Sequence, residues 1–93
     1  TLRAELARIR AEREAGHWAK ALELARPLVD RATAIDWPPI HAEAQFRLAD
    51  ALDWSGDAAA ALPLYESAAH TALATGDDAL FVDASAQVTW AYG

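Results

Sequence analysis

Three histidines, a run of aspartates and three serines are the residues of this chain with obvious chemical capacity. His17, His41 and His70 fall in three separate segments. None forms an H-x-x-x-H pair or a carboxylate pairing that would put two metal ligands on one helix face. Asp77, Asp78 and Asp83 lack the calcium-loop pattern, and Asp77 or Asp78 suits the role of a helix cap instead. Ser55, Ser67 and Ser85 have no Gly-x-Ser-x-Gly setting and no base nearby in sequence. There is no Gly-rich phosphate loop. No set of groups supplies a nucleophile together with a base, so the expectation is a protein that is not an enzyme and carries no cofactor and no metal.

Composition narrows the class. The 93 residues suit one small domain. Alanine makes up about a quarter of them and leucine is next; both are strong helix formers. Val, Ile and Thr are sparse, which disfavours a sheet. There is no Cys, hence no disulfide framework, as suits a reducing, cytoplasmic setting. No apolar run approaches the ~20 residues of a membrane span, and no signal-peptide pattern is present. A net charge of −6 argues against nucleic acid, which needs a basic patch. The charge is uneven: seven of the eight basic residues precede Pro38, and none follows Arg47. The molecule should be electrically polar from end to end.

Five helices are predicted. The first covers residues 2–15, with Leu2, Leu6 and Ile9 on one face and Gly16 as its stop. The second covers 17–35, with Trp18, Ala21, Leu22, Ala25, Leu28, Val29 and Ala32 as its apolar face. Pro27 should kink or break it near Glu23 and Leu24. Asp36-Trp37-Pro38-Pro39 is the clearest interruption. The third helix covers 39–55, Gly56-Asp57 stops it and restarts the chain, and the fourth covers 58–75. Pro63, early in that fourth helix, should bend it only slightly. Gly76-Asp77-Asp78 leads into the fifth, 79–92. Short links make consecutive helices antiparallel neighbours.

The segments EAGHWAKAL, 14–22, and WSGDAAAAL, 54–62, carry the same phrase 40 residues apart. The register extends through Leu6, Phe46 and Ala86, through Ala4, Ala44 and Ala84, and through Ala11, Ala51 and Ala91. A fixed period of this size signals stacked units, each unable to bury its apolar face alone. The units are expected at about 1–38, 39–77 and 78–93, the third supplying one helix. Thr1 at the start, and Gly93 directly after a helical pattern, suggest a piece of a longer protein.

The second unit resembles a tetratricopeptide repeat. Leu48-Ala49 stands where that family has Leu-Gly, Leu52 at its Tyr, Gly56 at the turn, Ala61 and Ala68 at its small residues and Tyr65 at its aromatic. The first unit matches in Gly16, Trp18, Ala21 and Ala25, while Arg8 and Glu12 take the Leu and Tyr positions. The longer period, with Asp36-Trp37-Pro38 before Ala42-Glu43-Ala44, is similar to the repeat regions that follow bacterial Ser/Thr kinase domains or sit in large bacterial regulators. The resemblance implies an all-α fold: antiparallel hairpins stacked as a right-handed solenoid, whose inner helices line a concave groove.

Carried onto this chain, the family's groove positions are Arg3, Leu6, Arg10 and Arg13 in the first unit. The second gives Glu43, Phe46, Asp50, Asp53 and Trp54, and the third Asp83, Ala86 and Trp90. Aromatics and arginines are favoured at interfaces. The implied function is a scaffold that binds protein or peptide, with a basic or aromatic segment suited to the acidic centre. The family's carboxylate clamp needs Lys and Asn where this chain has acids, so a carboxylate-terminal peptide is not expected. Trp18 is read as core and Trp37 as a lid over the gap between hairpins. Phe46 and Trp90 have a plainer reading, as packing between inner helices. Two alternatives remain: a spacer that self-associates as a homodimer through Val88, Ala91 and Tyr92 of the open end, and the sensory region of a multidomain kinase or regulator.

Overall fold

Apolar residues recur at helical spacing through the whole chain, and the computed structural model places five α-helices on that pattern. They are α1 (Leu2–Glu14), α2 (Trp18–Thr33), α3 (Pro38–Trp54), α4 (Ala58–Thr75) and α5 (Asp78–Tyr92). The structure describes residues 2–35 and 37–92. Asp36 and Gly93, and the side chains of Ala91 and Tyr92, lie outside the described residues, and with them part of the proposed open end. No strand occurs among the described residues.

Each helix packs on the next, and α1 also touches α3. Nine residues of α3 are buried, from Ile40 to Leu52, so it is the central helix. Burial repeats with the sequence. Ala21, Ala25, Leu28 and Ala32 of α2 are buried, and so are their counterparts 40 residues on, Ala61, Tyr65, Ala68 and Ala72 of α4. Leu6 and Ile9 likewise have buried counterparts in Phe46 and Ala49. The alanine stripes let helices approach closely at the packing density of a protein interior.

The turns follow from glycine. Gly16 and Gly56 have φ of 82° and 98°, a left-handed conformation that Cβ-bearing residues reach only at a cost. Each closes its helix with the same pair of backbone bonds. Gly16 N–H donates to Arg13 O at 2.9 Å and His17 N–H to Glu12 O at 2.8 Å; Gly56 N–H donates to Asp53 O at 3.1 Å and Asp57 N–H to Leu52 O at 2.8 Å. Asp57 then caps α4, accepting from Ala60 N–H at 3.2 Å, and Asp77 caps α5 by accepting from Leu80 N–H at 3.2 Å.

Pro27 neither ends nor splits α2, so of the kink or break expected there the break does not occur. It lies on the exposed side of the helix, while four residues of the opposite stripe are buried. Proline removes one backbone bond there, and tertiary burial of the stripe holds the remaining turns. The helix starts also move slightly. His17 is the N-cap of α2 and Trp37 that of α3, with Pro38 in its first turn. Trp37 is 56% exposed and borders a shallow depression with Leu2, Ile35 and Ile40, at one end of the gap it was expected to lid.

Candidate partner-binding face

The odd-numbered helices bring together residues that are far apart in sequence. A cleft of about 330 Å³ is lined by Arg10, Arg13 and Glu14 of α1, Phe46, Arg47 and Asp50 of α3, and Asp83, Ala86 and Gln87 of α5. Six of the groove residues expected from sequence therefore share one cleft: Arg10, Arg13, Phe46, Asp50, Asp83 and Ala86. Asp53 and Trp90 line a second cleft, of about 390 Å³, with Ala58, Ala59, Leu62 and Tyr65 of α4 and Gln87 of α5. Gln87 is common to both, so the two clefts adjoin. Glu43 borders a smaller depression on the α1 side, with Arg3, Leu6 and Arg10.

Electrostatically the face is mixed rather than acidic. Asp50 is buried and accepts a hydrogen bond from Arg13 Nε, which is partly exposed. Burial raises the Asp50 pKa above the ordinary carboxylate value, and the charges of Arg13 and Arg47 act against that rise. Arg3 pairs with Glu43 at 3.6 Å and Arg10 with Glu14 at 3.3 Å. Arg47 lies 5.5 Å from the Phe46 ring centroid. Burial lowers its pKa, with Glu43 and Asp50 opposing, and a guanidinium remains charged through such a shift. Asp53 and Asp83 form no ion pair among the described residues.

Phe46 is 8% exposed, its ring meeting Tyr65 edge-on at 5.5 Å and 62°. It is chiefly a packing residue that shows an edge to the cleft. Trp54 is 60% exposed and lines neither cleft. It stacks on Trp18 with centroids 4.8 Å apart and planes within 8°. Trp18, expected in the core, is half-buried: its ring stacks on Trp54, and the Arg13 guanidinium lies 5.5 Å from its centroid. Asp50, Arg13, Trp18 and Trp54 thus form a continuous row across α3, α1 and α2. Trp90 is 84% exposed.

Comparison with protein-family models, curated proteins and solved structures finds no match.

Arg47, Gln87 and Tyr65 also line the clefts, and the sequence reading did not place them there. The signal for two of them was present: Arg47 and Gln87 occupy one register position, each directly after Phe46 and Ala86. Tyr65 stands at the aromatic position of the repeat the second unit resembles. Its hydroxyl is buried and has no hydrogen-bond partner of normal geometry, an arrangement that costs about 1–3 kcal/mol when nothing offsets it. Burial, with the Asp50 and Asp53 carboxylates close by, pushes its pKa well above the ordinary tyrosine value. The histidines take part in local contacts: His17 Nδ1 bonds Glu12 Oε2 at 2.8 Å, and His41 Nε2 bonds the Ile35 carbonyl. Among the described residues no three His, Asp or Glu side chains gather as a metal site, and no helix is long and apolar enough to cross a membrane.

Proposed function

We propose that the chain is a non-catalytic binding module that holds an extended peptide or protein segment along the face built by α1, α3 and α5. The observation that carries this reading is the convergence of three helices from three sequence units on one cleft. Repeated burial at the 40-residue register supports stacked hairpins of tetratricopeptide type, whose inner helices would form that face. Among the described residues, Arg47 and Asp83 are the charged groups there that no ion pair occupies, so both signs are on offer to a partner. The Trp18–Trp54 stack at the rim provides a rigid apolar anchor. Asp50 is engaged by Arg13, so steering of a basic segment falls to Asp53 and Asp83.

A second reading is self-association through α5, favoured by the exposure of Val82 and Trp90 on that helix. Val88, named for this role from sequence, is partly buried against the core.

Selection from a displayed random-peptide library, followed by titration of the best peptide, tests the first reading. Arg47→Ala, Asp83→Asn and Trp54→Ala are each expected to weaken that peptide. Equal affinity for all three variants and the parent would remove the face as the site, and a rise in molar mass with concentration by sedimentation would favour the second reading.

A further inference from the structure

Resting on the peptide-binding reading, we infer that the cleft between α3, α4 and α5 is a pocket for one lysine side chain of the partner. Its walls are Ala58, Ala59, Leu62 and Trp90, which suit a four-carbon stem. Its polar lining is Asp53, Gln87 and Tyr65. Tyr65 is 3% exposed and its hydroxyl has no hydrogen-bond partner among the described residues. Asp53 and Tyr65 line the same cleft, and the Asp53 charge acts on the Tyr65 hydroxyl.

The charge of the occupant follows from these groups. Asp53 is the one charged side chain lining the pocket, and it has no ion pair among the described residues. It repels an anion. The α4 N-terminus, where Ala58 and Ala59 lie, is already capped by the Asp57 carboxylate. An ammonium group has three N–H donors and no acceptor. The Asp53 carboxylate, the Tyr65 oxygen and the Gln87 carbonyl are three acceptors of matching number. The ring of Trp90 adds an aromatic surface of the kind cations favour. Through Gln87 the pocket opens beside the α1–α3–α5 cleft, so a main chain lying there can send one side chain into it.

The test is a titration of the ¹⁵N-labelled chain with n-butylammonium chloride at constant ionic strength, with n-butanol and n-propylguanidinium as comparisons. Saturable shifts are expected at the Trp90 indole N–H and the Gln87 side-chain amide with butylammonium, weaker ones with the guanidinium, and only linear drift with butanol. Asp53→Asn and Tyr65→Phe should each weaken binding roughly tenfold, as loss of a hydrogen bond to a charged group does. Unchanged binding by Asp53→Asn, or butanol acting as strongly as butylammonium, would overturn the pocket. The library-selected peptide separates the two proposals. If it still moves Arg47, Asp83 and Ala86 while butylammonium leaves Trp90 unmoved, the pocket fails and the face stands. If butylammonium saturates at Trp90 while that peptide leaves α1, α3 and α5 unperturbed, the face fails.

Discussion

Where the first hairpin carries Leu6 and Ala25, the second carries Phe46 and Tyr65, whose rings meet edge-on at 5.5 Å. Where the first begins its second helix with His17, which makes no side-chain cap, the second has Asp57, which does. The first hairpin ties α1 to α2 with an exposed ion pair, Arg31 to Glu5 at 2.7 Å. The second joins α3 to α4 with a half-buried bond, Ser67 Oγ–H to Gln45 Oε1 at 3.0 Å. Exposed ion pairs contribute about 0–1 kcal/mol, whereas an aromatic pair adds about 0.5–1.5 kcal/mol beyond its burial. Both hairpins thus share one backbone register, and the second fills it with stronger contacts. The difference teaches that the α3–α4 hairpin is the more strongly packed half, and that α1 is held to it through the Arg13–Asp50 pair and α2 through the Trp18–Trp54 stack.

The strongest way to break this contrast is Phe46→Ala, which should cost about 3–5 kcal/mol in urea unfolding. A loss below ~1 kcal/mol would mean that the aromatic pair is not the centre of the second hairpin. The shared register is examined next. Ala21 and Ala61 are 0% and 1% exposed at equivalent positions, so leucine at either should overpack its hairpin by about 1–3 kcal/mol. Indifference at one position alone would show that the two hairpins do not pack alike.

Capping sharpens the comparison further. His17 and Asp57 have similar backbone angles, φ −90° and ψ 65° against φ −110° and ψ 63°. Asp57→Ala should therefore lose about 1 kcal/mol, and His17→Asp should gain a comparable amount by capping α2, read as opposite shifts in melting temperature.

The smallest effect is electrostatic. The Asp50 pKa is raised in the folded state, so between the unfolded carboxylate value, about 3.9, and its own higher value the folded chain holds the extra proton. Asp50 then makes stability fall as pH rises through that window. Urea midpoints of the parent relative to Asp50→Asn should show this decline. Arg13→Met removes the main opposing charge and should extend the window upward. A carboxyl signal for Asp50 that titrates at or below the ordinary value would contradict this assignment.

Much of the fold was legible in local pattern. Glycine at 16, 56 and 76, apolar residues at i, i+4 and i+7, and aspartate after two of those glycines act within a few residues, and each produced the expected element. Pro27 misled because its local penalty is outweighed by a buried stripe contributed by other helices. The face was legible only by position. Register placed Arg10, Arg13, Phe46, Asp50 and Asp83 around one cleft, but not their pairing. Asp50 finds its partner 37 residues away in Arg13, and Trp18 finds Trp54 across a helix interface. No short-range signal encodes either contact. The acidic centre expected from the groove positions Glu43, Asp50 and Asp53 is for that reason partly neutralised.

The central claim is that α1, α3 and α5 form the binding face, and the backbone amide shifts of the ¹⁵N-labelled chain on adding the library-selected peptide test it most directly. The account predicts that the largest shifts gather at Arg10, Arg13, Arg47, Asp83 and Gln87. Shifts confined to the outer residues of α2 and α4, such as Arg26, Asp30 and His70, would contradict it.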